Sequence, residues 1–341
     1  MRIHGLFQKR LAGDDALLEL ARLRFDEVAM GPEIHSGSPA DFAHQYGFRP
    51  ETASTAVVHL PRNWNVLNTD HHDGICALAG CAAGKAFGFV IHDLNEIETD
   101  PGGVLQNLHR LATRLRRIPN APILFVEYAV GLDPVRYIDF LRKFDDCEEI
   151  SACLDVGHIG IRQARKAYAA KYPGEDACAL HPDSPELPDR IEALAAAVQS
   201  ALPVTIKVIR AFTASETPIH FHLHDGHPLA NSKFGVSDHR GFLAPIAIPF
   251  AHNGRRSLPP LFGPSGLRKI LATALTHSRP EQLTFTLEIH ETGGRLPLGN
   301  AKHFFHHWKE IRNAEQMSHW LNTLQQQAEL FRAISAETTS S

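Results

Sequence analysis

The chain has few cysteines, and none lies in a paired motif. Its 341 residues contain 5 cysteines, an odd number, and no two of them are spaced as CxxC. This pattern indicates neither a disulfide framework nor a thiolate zinc site.

Long apolar runs and an excess of one charge are lacking as well. No uninterrupted apolar run approaches the roughly 18 residues of a membrane span, and the amino terminus has no signal-like apolar region. The formal net charge is -4, and 21% of the residues are charged. Nothing in this overall balance argues for a nucleic-acid or membrane partner. We therefore expect a soluble, cytoplasmic protein.

Histidine, by contrast, is abundant, with 22 residues in the chain. Residues 219–226 read Ile-His-Phe-His-Leu-His-Asp-Gly, so His220, His222 and His224 alternate with apolar residues. Side chains on a strand alternate between faces, which places all three imidazoles on one side. The following Asp-Gly is a turn signal. A strand with one face made of imidazoles builds a poor dry core and is better suited to deliver ligands to a metal.

Strand-like apolar runs alternate with helical stretches along the whole chain. This alternation predicts parallel strands with crossover helices, and about eight such units fit a (β/α)8 barrel. A doubly wound dinucleotide-binding sheet is disfavoured because residues 8–13 lack a GxGxxG turn. Residues 204–209 could be a helix end or an extra strand. The predicted strands are residues 3–7, 27–30, 54–60, 86–92, 122–128, 150–156, 219–224 and 283–289.

We expect the barrel to be a single α/β domain over residues 1–299, with insertions near 172–215 and 228–264. Residues 300–341 would form a helical extension that packs on the barrel or on a partner subunit, so a homo-oligomer is an expectation.

Six successive predicted strands end in a potential metal ligand. In a barrel, the chemistry sits at the carboxyl ends of the strands. Any one of these residues alone is more often a core, loop or salt-bridge residue, but six in succession are hard to assign to chance. Burying carboxylates near one another is also costly without a cation. We predict a site for zinc, manganese or iron. The candidate ligands are His59, His92, Glu127, Asp155 with His158, His222 or His224, and Glu288.

Four of these segments carry a family resemblance. The fifth-strand segment with Glu127, the Asp-x-x-His motif of Asp155 and His158, the His-Leu-x-Asp segment at His222 and the last-strand Glu288 occur in this order. Together they resemble the xylose isomerase-like TIM barrels, which include AP endonuclease family 2 (the endonuclease IV type) and sugar isomerases and epimerases. The resemblance makes His222 the better ligand and leaves His224 as a reserve or a substrate contact.

The resemblance implies one of two ligand sets. The isomerases and epimerases use a minimal set around one manganese-like ion. The endonuclease branch adds histidines on the third and fourth strands, here His59 and His92, and an Asp-x-His that completes a three-zinc site. That motif is not cleanly present. Asp238 and His239 are adjacent, whereas residues 225–227 have the spacing but follow the strand closely. The minimal set would be Glu127, Asp155, His222 and Glu288.

The first functional hypothesis is isomerisation or epimerisation of a small sugar-like substrate through a metal-stabilised enediolate. Glu127 and Glu288 would exchange the carbon-bound proton, and His158 would hold a substrate oxygen.

The alternative is multinuclear zinc phosphodiester hydrolysis, which His59 and His92 favour. Trp64 could then stack on a base or a sugar ring, although a loop packing role is more common. No basic stretch interleaved with aromatic residues supports a DNA partner. Lesser alternatives are an iron-dependent oxidative enzyme and a non-enzymatic metal-binding barrel.

Overall fold

The computed structural model describes residues 1–7, 14–53, 55–180, 185–212, 217–226, 260–289 and 314–339. Within these ranges the chain divides into two compact units. The first comprises Met1–Leu154, Ala211–His222 and His277–Leu287, and the second comprises Asp155–Arg210, Leu223–Thr276 and Glu288–Ser341. The domain boundary predicted at residue 299 falls outside the described residues.

The first unit contains the strands of a closed, eight-stranded barrel, except for Asp155 and Leu223, the last residues of the sixth and seventh strands, which are assigned to the second unit. Each strand lies beside its successor in the chain, and the last strand pairs with the first in parallel, which closes the sheet. Helices lie between the strands, so the predicted (β/α)8 TIM barrel is confirmed. The strands are β1 (Arg2–Phe7), β2 (Gly31–His35), β3 (Ala56–His59), β4 (Ala86–His92), β5 (Ile123–Glu127), β6 (Ile150–Asp155), β7 (Ile219–Leu223) and β8 (Leu283–Leu287).

The helices of the first unit begin at recognisable capping residues. Ser38 accepts a hydrogen bond from Asp41 N before the helix Pro39–Gly47, and Asp133 accepts one from Val135 N before the helix Pro134–Leu141. In both helices a proline follows the cap, where its missing N–H costs nothing. These helices are α1 (Asp15–Glu27), α2 (Pro39–Gly47), α3 (Thr69–Ala82), α4 (Glu96–Thr99), α5 (Pro101–Leu115) and α6 (Pro134–Leu141).

Tight packing inside the barrel fixes how the strands approach one another. A Cβ atom on Gly88 of β4 would lie 2.1 Å from the ring of Phe125 on β5. Glycine at this position therefore lets a fully buried aromatic ring fill the space beside the neighbouring strand. Phe221 on β7 stacks on Phe285 on β8, with ring centroids 4.9 Å apart.

The described part of the second unit is helical. Its helices are α7 (Val156–Lys171), α8 (Leu187–Gln199), α9 (Ala201–Phe212), α10 (Gly263–His277) and α11 (Ala314–Thr339), although the last residues of α9 and α10 are assigned to the first unit. Tyr168 of α7 packs in a buried cluster with Leu187 and Leu194 of α8. The indole N–H of Trp320 in α11 donates to the carbonyl of Ile289 over 2.8 Å.

The stretch Leu187–Phe212 is long and apolar enough to cross a membrane by length and composition alone. However, 44% of its most apolar 18 residues are buried, and the core helix of a soluble protein meets the same criterion.

One sequence-based assignment is wrong, and one open alternative is decided. Residues 27–30 are not a strand: α1 ends at Glu27, Ala29 has a φ of 43°, and the second strand is instead Gly31–His35. A left-handed residue there turns the chain and cannot continue a strand. For residues 204–209 the sequence left a helix end and an extra strand open, and the structure places them within α9, Ala201–Phe212.

Candidate metal centres

The first group of candidate ligands surrounds the carboxylate of Glu127, and we call it the Glu127 cluster: Glu127, His59, His92 and His222. Glu127, His59 and His92 are the last residues of their strands. The Nε2 atoms of His59 and His92 lie 3.2 and 3.4 Å from Oε2 of Glu127. Nδ1 of His222 lies 3.4 Å from Oε1 of the same carboxylate. The three histidines thus lie against the two carboxylate oxygens of Glu127, and all four residues are predicted ligands.

Charge in the Glu127 cluster is concentrated and shielded from water. Glu127 is 1% exposed and His59 is 5% exposed. Burial alone would raise the pKa of Glu127, but the neighbouring imidazoles, His92 foremost, lower it well below the ordinary value. Burial lowers the pKa of His59, yet Glu127 outweighs this effect and raises it to about 9. The carboxylate is therefore compensated at neutral pH by the positive charge of the His59 imidazole.

His59 is held in one orientation by the backbone. Its Nδ1–H donates to the carbonyl of Leu60 over 2.8 Å, which leaves Nε2 directed at Glu127. A ring nitrogen bonded to a backbone carbonyl fixes the tautomer and the orientation of a metal-binding histidine.

The second group lies in the second unit, and we call it the Asp155 cluster: Asp155, His158 and His224. Asp155 is the last residue of β6 and the N-cap of α7, where its Oδ1 accepts a hydrogen bond from His158 N over 2.7 Å. Nδ1 of His158 lies 3.5 Å from Oδ2, and Nε2 of His224 lies 2.8 Å from Oδ1. One ligand atom of each of the three residues lies within 4.8 Å of the others.

His224 is oriented in the same way as His59. Its Nδ1–H donates to the carbonyl of Asp225 over 2.9 Å, and its Nε2 faces Asp155. Burial lowers the pKa of His224, but Asp155 and Glu288 outweigh this and raise it to about 9. The ring lies so close to α7 that a Cβ on Gly157 would be 2.0 Å from it. The glycine in this segment therefore makes room for a candidate ligand.

The remaining predicted residues have different surroundings. Glu288 directly follows β8 and is 6% exposed. Trp64 is half-buried and stacks on His71 with centroids 5.9 Å apart, which favours its packing role. Asp225 uses both carboxylate oxygens to accept backbone N–H groups from Gly226, Phe262 and Gly263 and so serves as an anchor for the chain. Asp238, His239 and His227 lie outside the described residues.

Several polar residues escaped the sequence-based prediction. Glu33 on β2 contacts both His220 and His222, and His35 stacks on His59 with centroids 4.6 Å apart. Cys153 lies two residues before Asp155 with no exposed surface. The usable signal was the alternation of Glu33 and His35 around Ile34, which places both on one face of a strand.

Comparison with known proteins gives no family assignment. No family model and no curated protein matches the chain. Among solved structures, it resembles the crystal structure of AsfvAP:AG, with a TM-score of 0.48 and 11% identity over 92% of this chain and 89% of that chain. It also resembles a thermostable mutant of the xylanase Xyn10A from Cellvibrio japonicus, with a TM-score of 0.45 and 11% identity over 84% and 86%. Likenesses at this level carry no argument about function.

Both clusters fit the donor chemistry of a divalent metal. Imidazole nitrogen and carboxylate oxygen are the ligands that zinc, manganese and iron share. In the Glu127 cluster, one ligand atom each of His59, His92 and Glu127 lies within 4.8 Å of the others. In the Asp155 cluster, Oδ2 of the fully buried aspartate accepts no hydrogen bond from the described residues, and Nδ1 of His158 lies 3.5 Å from it. A buried anionic oxygen of this kind is costly unless a cation compensates it.

Proposed function

We propose that this barrel is a divalent-metal-dependent enzyme that hydrolyses a phosphoester. The observation that carries the proposal is the repeated arrangement at His59 and His224. In each cluster, a histidine bonded to a backbone carbonyl through Nδ1 presents Nε2 to a buried carboxylate. Such pre-oriented imidazoles are what a metal site requires.

The residues that would hold metal are His59, His92 and Glu127 in one cluster and Asp155, His158 and His224 in the other. Divalent ions, when bound, supply stabilisation of the negative charge that develops in phosphoester cleavage. The protein contributes the fixed positions of the ligands, because the backbone carbonyls hold the rings and burial excludes competing water. Whether Glu127, Asp155, His222 and Glu288 share one ion, as the sequence suggests, stays a prediction.

Hydrolysis is preferred here over the isomerisation that the sequence placed first. Isomerisation would need Glu127 to accept a proton from a substrate carbon. Both of its oxygens are faced by imidazole nitrogens at 3.2 to 3.4 Å, which leaves little room for a substrate proton. This position suits a carboxylate that binds or bridges cations. A small phosphoester is preferred over DNA because the sequence lacks a basic stretch interleaved with aromatic residues.

The test is hydrolysis of bis(p-nitrophenyl) phosphate by metal-free protein reloaded separately with zinc, manganese, cobalt or ferrous iron. We expect activity with at least one metal, and a loss of at least about 100-fold for His92→Asn and Asp155→Asn, the upper range for removing even an outer partner of a ligand. His109→Asn, an exposed histidine on α5, is the matched control and should retain activity. Lack of hydrolysis with all four metals would refute the proposal, whereas cleavage of abasic-site DNA alone would favour the endonuclease-type reading.

Isomerase or epimerase chemistry is the second candidate, and one observation favours it. Glu127 and Asp155 end β5 and β6, His222 lies within β7, and Glu288 directly follows β8. All four residues of the minimal set are buried, with exposed fractions of 0 to 6%. The test is incubation of the reloaded enzyme with simple ketoses and aldoses in D₂O. Isomerisation would exchange the proton on the carbon next to the carbonyl for deuterium, and the NMR signal of that proton would be lost. Such exchange without phosphoester hydrolysis would reverse the preference.

A further inference from the structure

Glu33 is a buried carboxylate that the proposed reaction does not use. It lies in the middle of β2, and its side chain has no exposed surface. The interior of a barrel of this kind is normally filled with branched apolar side chains. A carboxylate placed there loses its hydration, and this loss is costly unless polar or positively charged groups lie against it. The residues beside Glu33 therefore indicate what it does.

Two imidazoles lie against one oxygen of Glu33, and His222 of the Glu127 cluster is the closer one. Nε2 of His222 lies 3.2 Å from Oε2 of Glu33. Nε2 of His220 lies 3.4 Å from the same oxygen, but this nitrogen also hydrogen-bonds to Oγ1 of Thr286 over 3.2 Å. His220 is thus tied to β8 as well, and the contact with His222 connects Glu33 to the candidate metal centre.

The ring of His222 stands between two buried carboxylates. Its second nitrogen, Nδ1, lies 3.4 Å from Oε1 of Glu127. His59 and His92 approach Glu127 from its other oxygen, Oε2. Nε2 of His222 therefore faces the interior of the barrel, and Nδ1 faces the Glu127 cluster. A carboxylate against one ring nitrogen favours the N–H on that side, and the other nitrogen is then available to a metal.

The position of Glu33 corresponds to that of the carbonyl groups behind two other candidate ligands. The carbonyl of Leu60 lies behind His59, and the carbonyl of Asp225 lies behind His224. At His222, Glu33 stands behind the ring, on the side away from Glu127. The ring is further confined by His59, which stacks on it with centroids 5.9 Å apart. A carboxylate behind a metal-binding histidine fixes its orientation and makes it a stronger donor.

We propose that Glu33 is a positioning residue that holds the Nε2 side of His222 and so presents Nδ1 to the metal of the Glu127 cluster. The inference rests on the proposed function, because it requires a metal in this cluster. Glu33 acts only through His222 and is not itself a ligand. This role also accounts for a glutamate inside a barrel that apolar side chains could fill.

The first test is calorimetric titration of metal-free protein with zinc. Glu33→Gln keeps the shape of the side chain but removes its charge, and zinc affinity at the Glu127 cluster should fall by about 10- to 100-fold. The Asp155 cluster is the internal reference, and its affinity should not change. Thr284→Val is the matched control, because Thr284 is also fully buried inside the barrel and hydrogen-bonds to His4. It should lower the free energy of unfolding but keep the wild-type zinc affinity.

The second test reports on the ring itself. Long-range proton–nitrogen NMR correlations of zinc-loaded, ¹⁵N-labelled protein show which nitrogen of a histidine carries the proton. In wild-type protein, His222 should carry it on Nε2 and bind zinc through Nδ1. In Glu33→Gln, this single tautomer should be lost. A purely structural role of Glu33 would lower stability without changing the tautomer.

The outcomes separate this inference from the proposed function. A wild-type protein that binds no zinc would contradict both. If the wild type binds zinc and Glu33→Gln has the same affinity and the same His222 tautomer, only the positioning role is refuted. A proton on Nδ1 of His222 in the zinc-loaded wild type would also refute it, and this measurement does not depend on the folding of a variant. Circular dichroism of the metal-free variants confirms that each is folded.

Discussion

The Nε2 atom of His224 lies 2.8 Å from Oδ1 of Asp155, while Nδ1 of the same ring donates to the carbonyl of the next residue. His59 and Glu127 repeat this arrangement. Nε2 of His59 lies 3.2 Å from Oε2 of Glu127, and Nδ1 donates to the carbonyl of Leu60. In both cases a histidine at or just beyond the end of a strand turns its ring back to its own backbone. The local chain thereby fixes the orientation of the ring.

Gly157→Ala should disrupt the Asp155 cluster without touching a ligand. The new methyl group would lie 2.0 Å from the His224 ring, so the ring must leave its present position beside Asp155. We expect metal affinity at this cluster to fall by at least about tenfold, measured by calorimetric titration of metal-free protein.

Gly160→Ala is the control for this prediction. It lies one turn later on α7, and its Cβ would meet the ring of Phe262 at 2.6 Å. It should lower the free energy of unfolding but leave metal affinity unchanged. If both variants lost the same metal affinity, the effect of Gly157→Ala would come from disturbance of α7 and not from the contact with His224.

Glu127→Gln should lower the pKa of His59, because the substitution removes the negative charge beside its imidazole. The carboxylate raises the pKa of His59 to about 9 against the opposing effect of burial. Without that charge, burial dominates, and the pKa should fall to the ordinary value of about 6.5 or lower. The pKa is measured by NMR titration of the ring protons in metal-free protein.

Glu98→Gln serves as the control for the titration, because Glu98 contacts the backbone of Asp133 and no member of the Glu127 cluster. An unchanged His59 pKa in Glu127→Gln would show that another group holds the proton.

The strand ends were predictable because apolar runs and their terminal polar residues are both visible in the sequence. Residues 86–92 form β4 as predicted, and His59, His92, Glu127 and Asp155 each end a strand. The carboxyl ends of parallel strands lie at one end of a barrel, so residue type and position were enough to select these residues as candidate ligands.

Glu33 was missed because its strand does not look like one. The run at 28–30 is apolar, whereas β2 contains proline, glutamate and histidine. Apolar patterning assumes that buried residues are apolar, and it fails where buried side chains are polar for a functional reason. The same assumption hid the contact of Glu33 with His220, since no sequence pattern pairs strands across the barrel interior.

Protonation of His4 should limit the stability of the metal-free protein in acid. This buried residue lies beside Thr284, and burial lowers its pKa to about 3. The unfolded chain, with a pKa near 6.5, binds the proton more readily, so stability is full above about pH 6.5 and declines as the pH falls. At pH 5 the loss should be about 2 kcal/mol relative to pH 8.

His4→Asn should remove this part of the pH dependence, as measured by urea unfolding at pH 8 and pH 5 with a chelator present. The exposed His109→Asn should leave the wild-type difference unchanged. A pH dependence that is identical in wild type and His4→Asn would show that other groups cause the decline.

Asp225 should prove to be a structural anchor, because its two oxygens hold three backbone N–H groups. Oδ1 accepts from Gly226 and Phe262 at 2.8 and 3.1 Å, and Oδ2 accepts from Gly263 at 2.8 Å. Asp225→Ala leaves all three donors buried and unpaired, so the free energy of unfolding should fall by about 3 kcal/mol or more. Asp225→Asn still pairs two of them and should lose roughly half as much. Since neither variant removes a ligand of the Asp155 cluster, the metal stoichiometry of the folded protein should not change. A loss of one bound ion in Asp225→Asn would instead make Asp225 a ligand.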